Sequence, residues 1–324
     1  MWRTRLKELL IGEEDFREKM DSVVEPLLKE KMVEGYFTDR DKVSVHYAYM
    51  LHPREEAAVV ISHGFCEFIC KYHEMMYYLY EMGYSVFYMD HRGHGFSGGK
   101  LEDPDCVYID TYDSYVEDLK QYVHEVVLDK SSSKILYLFA HSMGGCIGAL
   151  FLEKYPAVFQ KAVLSSPMME MSYGRFSVGT VRFLCMGATV LHRLKHYIAG
   201  QHGFDGVRKF ENSSMLSEER YEYVFRYREA EPSFRTYGAS VAWIKAGISA
   251  CRKLRRDIGN ISIPVLLCQA GQDSMVLPWA QEYATEHNPN IALKKFPASK
   301  HEIFNATPDI REEYYMLVFQ YFKE

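Results

Sequence analysis

The stretch Ile135–Pro156, ILYLFAHSMGGCIGALFLEKYP, decides the fold. An apolar run leads to Ala140-His141, Ser142 stands at the apex, and a glycine-rich helical pattern follows from Met143. Strand, sharp turn and helix in this order is the outline of a nucleophile elbow, usually written G-x-S-x-G. Here Ala140 stands where the first glycine is expected. The requirement is one of size, because the turn brings the residues two before and two after the serine close together. Ala140 adds one methyl and Gly144 adds nothing, so the elbow survives. Gly145 and Gly148 then let the helix lie close against the sheet.

Outward from this stretch, further short apolar runs resemble strands buried on both faces of a parallel sheet: AAVVISHG, YSVFYMD, KAVLSSP, PVLLCQAG and ALKKFPA. Helical patterns such as YHEMMYYLYEMG and DSYVEDLKQYVHEVVL separate several of them. This alternation predicts an α/β fold with a mostly parallel central sheet flanked by helices. The first thirty residues read as one or two amphipathic helices. VEGYFTDRDKVSVHYAYML reads as a hairpin around Asp39-Arg40-Asp41. Between about Met168 and Asp257 the pattern turns helical, which predicts a cap inserted before the strand that carries Asp273. The expected division is residues 1–167 as core with an N-terminal helical extension, 168–257 as cap, and 258–324 as the rest of the core.

Composition narrows the function. The 324 residues are 48% hydrophobic and 15% aromatic, enough for a large core. A net charge of −6 without a basic stripe argues against nucleic-acid binding. Seven cysteines scattered through apolar runs suit reduced, buried thiols better than a disulfide framework. MWRTRLKELLIGEEDF lacks a long apolar core of the signal-peptide kind, and no run approaches the roughly 18–20 apolar residues of a membrane span. The expectation is a cytoplasmic chain.

The elbow predicts a set of partners. Met143 opens the helix, so its N–H points outward with the positive end of the helix dipole behind it. His63-Gly64 bends the chain after an earlier strand and leaves the Phe65 N–H as a second oxyanion donor. In this fold the acid and the base follow the serine in that order. Asp273 ends the PVLLCQAGQD run, and His301 lies in the loop after ALKKFPA. His301 would take the Ser142 proton, and Asp273 would hold the imidazole tautomer. A turn aspartate and a surface histidine are the plain alternatives for the last two taken singly.

The motifs SHGFCE, DHRGHGFSGG, AHSMGG, GQDSMV and SKHEIF, spanning Ser62 to Phe304, resemble the lysophospholipase L2 and monoacylglycerol lipase group of α/β-hydrolases. The cap stretch RYEYVFRYREAEPSFRTYGASVAWIKAGISA looks more like the L2 branch. The resemblance implies Ser142, Asp273 and His301 as a triad, and Phe65 and Met143 as backbone oxyanion donors. It implies an ester hydrolase acting on single-chain lipids through an acyl-enzyme, with no metal or cofactor. Phe65 departs from the group, being bulkier than the alanine of typical monoacylglycerol lipases. An amidase of the same fold is a second reading, which would need cap carboxylates such as Glu219, Glu222, Glu229 or Glu231 facing the substrate. A non-catalytic ligand-binding relative is a third.

Other features have plainer readings. His63, Asp90, His91 and His94 read as a tight structural loop rather than a metal site. His192 and His196, four apart, could share one helical face on the cap surface. Cys66 reads as a small buried residue. Phe176–Leu194 is apolar with Arg182 at its middle and a basic end at Arg193, Lys195 and His196. It reads as a plain cap helix packed on the core, a placement compatible with lining an acyl pocket from above, with contact to a membrane or micelle surface as the alternative.

Overall fold

The computed structural model describes residues 2–324. Ten strands form in chain order: β1 (Val33–Thr38), β2 (Ser44–Met50), β3 (Ala57–Ser62), β4 (Tyr84–Met89), β5 (Cys106–Val107), β6 (Leu136–His141), β7 (Lys161–Ser165), β8 (Gly238–Ala239), β9 (Val265–Ala270) and β10 (Ile291–Phe296). Eight of them make one sheet in the order β1-β2-β4-β3-β6-β7-β9-β10. The β1–β2 and β2–β4 pairs are antiparallel and the other five are parallel. β3, β4 and β9 are buried at every position, as their unbroken apolar runs require when helices cover both faces. β10 differs from that expectation: it is the edge strand, and Ala292 and Lys295 are exposed along it.

The hairpin closes as its sequence predicts. Thr38 faces Ser44, and the Asp39 carboxylate accepts the amides of Asp41 (2.8 Å) and Val43 (2.7 Å). That side-chain turn is the physical content of Asp-Arg-Asp as a turn signal. From β3 the chain moves outward to β4, and then returns to place β6 on the other side of β3. The carboxyl ends of β3 and β6 therefore border a crevice where the direction of winding reverses, the place open α/β sheets keep for their sites.

Between β7 and β9 lie the helices Val178–Val190, Glu218–Ala230 and Val241–Asp257. Val241–Asp257 buries Trp243, Ala246, Gly247, Ala250, Cys251 and Leu254, packing on both the helix Met143–Lys154 and the helix Val178–Val190. The short β8 pairs in parallel with β5, a contact not read from the sequence. His192 and His196 lie beyond the helix that ends at Val190, with His192 at φ +56°, so they do not share a helical face.

The N-terminal helices form a bracket. Phe16, Met20, Val24 and Leu28 are buried in one cluster with Tyr78 of the core and Tyr223 of the cap. At its centre Arg220 donates to Glu74 (2.7 and 2.8 Å), to Glu13 (2.9 Å) and to the Ile11 carbonyl (3.0 Å). Arg311 of the last helix, Pro308–Lys323, donates to the same Glu74 (2.5 Å) and the same Ile11 carbonyl (2.9 Å). Two guanidiniums thus hold the Glu74 carboxyl below its usual range although burial pushes it up. No helix among the described residues is long and apolar enough to cross a membrane.

Candidate active site

Ser142 sits between β6 and the helix Met143–Lys154 at φ +54° and ψ −117°. A non-glycine residue reaches that region only under strain, of order 1–3 kcal/mol, which the surrounding packing must hold. The Ser142 amide donates to the Ser165 carbonyl (3.1 Å), and its carbonyl accepts the amides of Cys146 (3.1 Å) and Met168 (2.9 Å). A Cβ on Gly144 would run into the Ser62 and His63 carbonyls, and one on Gly145 into Pro167. A Cβ on Gly148 would lie 3.1 Å from the Ala140 methyl, so Gly148 provides the room that alanine uses at position 140.

The three side chains expected from the sequence meet. His301 Nε2 lies 2.8 Å from Ser142 Oγ, and His301 Nδ1 lies 2.6 Å from Asp273 Oδ2. The other oxygen of Asp273 accepts the amides of Met275 (2.8 Å) and Val276 (3.1 Å). Burial pushes the Asp273 carboxyl up, but His301 and the two amides outweigh it and hold it below its usual range. An ionised Asp273 fixes the proton on Nδ1 and leaves Nε2 to accept from Ser142.

The two backbone N–H groups expected as donors, those of Met143 and Phe65, have no protein acceptor among the described residues. Met143 is the first residue of its helix, so its N–H has no acceptor one turn back. The Phe65 N–H donates to no protein acceptor among the described residues. Its direction is set by His63. His63 Nε2 accepts the His91 amide (2.8 Å), which leaves the proton on Nδ1, and Nδ1 donates to the Gly64 carbonyl (2.7 Å). In a trans peptide the carbonyl and the following N–H point opposite ways, so a Gly64 carbonyl turned toward His63 aims the Phe65 N–H away from it. Burial pushes His63 down, which favours the neutral ring this arrangement needs. His91 bonds Ser62 Oγ (2.9 Å), and Asp90 binds His46 (2.8 Å) and the Phe96 amide (3.0 Å). The histidine-rich loop is thus a hydrogen-bonded support under the turn.

One part of the site was not read from the sequence. Glu67 Oε2 accepts the Gly64 amide (2.5 Å) and the Tyr72 hydroxyl (2.6 Å), while Oε1 accepts Lys71 (2.9 Å). Lys71 also binds Glu302 (2.7 Å), beside His301, and Glu302 accepts Ser214 of the cap (2.5 Å). Burial raises the Glu67 carboxyl, yet Lys71 and Tyr72 hold it well below its usual range. His141 lies 3.6 Å from Glu67, but burial lowers its ring to about 4, so at neutral pH this approach is not an ion pair. The signal available was the i, i+4 pair Glu67–Lys71 in CEFICK; its third member lies 231 positions away.

A cavity of about 320 Å³ opens above Ser142. Phe65, Phe204, Val207, Met215, Tyr237 and Met275 give it apolar walls, and Arg228 and Lys209 are its cap cations. Phe65 packs on Trp243 at a ring separation of 4.2 Å, so its extra bulk forms one wall. Cys66 is buried, and burial pushes its thiol up, away from thiolate character.

The sequence profile of the family described as serine aminopeptidase, S33 matches residues 53–308. Lysophospholipase L2 of Escherichia coli K12 is 30% identical over 244 residues, covering 75% of this chain and 71% of that protein. Monoacylglycerol lipase of Mycolicibacterium smegmatis is 26% identical over 249 residues, covering 76% and 81%. Among solved structures, monoacylglycerol lipase of Paleococcus ferrophilus superposes with a TM-score of 0.66 at 22% identity, over 86% of this chain and 97% of that one. A soluble variant of the Saccharomyces cerevisiae monoglyceride lipase gives 0.70 at 18%, over 89% and 94%. These two likenesses bear on the fold. The sheet order, the elbow and the matched profile agree: the chain belongs to the serine aminopeptidase, S33 family of α/β-hydrolases, in the group with lysophospholipase L2 and monoacylglycerol lipases.

Proposed function

We propose that the chain is a carboxylic ester hydrolase for single-chain lipids, of lysophospholipase or monoacylglycerol lipase type, with Ser142 as nucleophile. The observation that carries the reading is the Asp273–His301–Ser142 relay, with links of 2.6 and 2.8 Å, at the floor of an apolar cavity. Ser142 Oγ attacks the ester carbonyl while His301 Nε2 takes its proton. The oxyanion is held by the Phe65 and Met143 N–H groups, and His301 then protonates the departing alcohol. Water, deprotonated by His301, attacks the acyl-enzyme and releases the fatty acid. The cap is read as residues 168–257, with residues 201–237 contributing most of the cap wall above the serine.

The relatives' names support the lipid ester, and the cap carboxylates support it over an amide. Glu222 pairs with Arg208 (2.7 Å), Glu229 approaches the same arginine, Glu231 caps the Ser233 amide, and Glu219 lines a separate groove with Phe16 and Arg17 of the N-terminal bracket. None of the four lines the Ser142 cavity, so an ammonium group would find no cap carboxylate there.

The helix Val178–Val190 is read as the contact with a lipid surface. Phe183, Val190 and Leu191 are exposed by 69%, 74% and 68%, and Phe176, Leu184 and Met186 are exposed beside them. Arg182, Lys245 and Arg252 line the groove at its foot, which suits an anionic interface. The test of the whole reading is fatty-acid release from lysophosphatidylcholine and monooleoylglycerol, with Ser142→Ala as the blank. Release that vanishes in the variant supports it. A chain that cleaves only a short p-nitrophenyl ester keeps the triad and defeats the lipid substrate.

A further inference from the structure

One cap helix, Glu218–Ala230, touches both halves of the site. At its start the Leu216 and Ser217 amides both donate to the Asn305 carbonyl (3.1 Å each), in the loop that carries His301. In its last turn Arg228 Nη2 donates to the Cys66 carbonyl (2.6 Å), in the turn that carries Phe65. Arg228 Nε donates to the Phe234 carbonyl (3.2 Å), and the guanidinium lies over the Phe68 ring at 5.4 Å. Ser217 and Arg228 are separated by about 16 Å of helix rise. The Arg220–Glu74–Arg311 cluster seats the same helix on the core.

The turn Gly64–Glu67 needs such holding. Cys66 adopts φ +57°, a left-handed conformation that disfavours a residue with a Cβ. The core ties the Gly64 amide through Glu67 and the Gly64 carbonyl through His63. The Cys66 carbonyl is tied from the cap, by Arg228. Both side-chain hydrogen bonds of Arg228 end on backbone carbonyls, and its planar fork presents the two donors in fixed relative directions, which an ammonium on a flexible stem does not.

We propose that Arg228 is a positioning residue for acyl transfer: from the cap it holds the Cys66 carbonyl and so keeps the Phe65 N–H aimed at the developing oxyanion. The proposal rests on the hydrolase reading of Ser142. It makes catalytic competence depend on the seating of the Glu218–Ala230 helix, because a displaced helix withdraws Arg228 from the turn.

The test compares the full-length chain with Arg228→Lys and Arg228→Ala on two substrates, p-nitrophenyl butyrate and lysophosphatidylcholine. The expected result is a fall in kcat of about 10- to 100-fold on both, with KM within about twofold. Methylguanidinium at millimolar concentration is expected to restore part of the kcat of Arg228→Ala, which it would not do for a displaced cap. Arg228→Lys retains a cation over Phe68, and its circular dichroism and melting temperature provide the folding control. Unchanged kcat overturns the proposal, and so does a loss without guanidinium rescue. A rise in KM confined to lysophosphatidylcholine also overturns it and makes Arg228 a phosphate contact instead. A wild-type chain that hydrolyses neither substrate defeats the reading of Ser142 and the role of Arg228 with it, a failure distinct from one confined to the variants.

Discussion

Ala140 and Gly148 face each other across the elbow so closely that a Cβ on Gly148 would stand 3.1 Å from the Ala140 methyl and 2.9 Å from Leu138 Cδ2. The two positions share one methyl's worth of space. Gly148→Ala alone is expected to destabilise the chain by about 1–3 kcal/mol through overpacking. Ala140→Gly added to it should return most of that loss. Melting temperatures of the two single variants and the double variant measure the coupling, and simple additivity would refute the shared space.

His63 sets the direction of the Phe65 N–H through the Gly64 carbonyl. His63→Ala is expected to lower kcat about 10- to 100-fold with little change in KM. His63→Asn, whose amide can place a donor near the Nδ1 position, should keep more of it. Steady-state kinetics on a short ester decide, and equal losses in both variants would count against the carbonyl contact.

Much of this site was legible because its key residues sit at strand ends, where apolar runs stop abruptly. Ser142, Asp273 and His301 follow β6, β9 and β10, and the small, glycine-rich run after Ser142 marks the elbow. The supports were not legible. Lys71 meets Glu302 only when the two halves of the core come together, Arg228 meets Cys66 only after the cap folds over the sheet, and nothing in CEFICK alone names the third partner. The histidine loop, read as structural, uses its metal-like spacing for hydrogen bonds: His63 takes the His91 amide, His91 bonds Ser62, and Asp90 bonds His46. His192 and His196 kept helical spacing past the end of their helix, where the chain turns through a positive φ.

Glu55 shows how acid should act on the fold. It accepts Ser85 (2.7 Å), Ser131 (2.6 Å) and the Ser133 amide (3.0 Å). Burial pushes its carboxyl up, but these bonds bring it down to about 2 from an ordinary 4.5. A depressed carboxyl contributes stability that is complete above 4.5 and is lost as pH falls through about 2. Glu55→Gln should therefore flatten the acid limb of stability in that window and leave the neutral limb parallel to wild type. Melting temperatures across the window check it.

Arg220 joins the N-terminal bracket, the cap and the core. Arg220→Ala is expected to cost about 3 kcal/mol, toward the lower end for a buried pair because Arg311 still faces Glu74. Arg208→Ala, which breaks an exposed pair with Glu222, should cost less than about 1 kcal/mol. Urea unfolding of the two variants gives the comparison, and similar costs would deny the bracket its role.

Phe183→Glu with Val190→Glu places two charges on the most exposed apolar helix. Binding to anionic vesicles is expected to fall at least about tenfold, since each side chain forfeits roughly 1.5–3 kcal/mol of burial. Hydrolysis of a soluble short-chain ester should stay at the wild-type rate. Vesicle sedimentation and the ester assay separate the two, and unaltered binding would remove the helix from the interface.

Lys71 is one ammonium shared by two buried carboxylates, Glu67 and Glu302, from opposite sides of the site. Neutralising Lys71 alone would strand two negative charges away from water, and neutralising either carboxylate alone would leave the remaining pair with altered geometry. Such a trio does not drift one substitution at a time. Across a lineage, positions 67, 71 and 302 are expected to change together or not at all, with the count of charges preserved while the identities move. The constraint couples the evolution of the Gly64–Glu67 turn to that of the loop bearing His301.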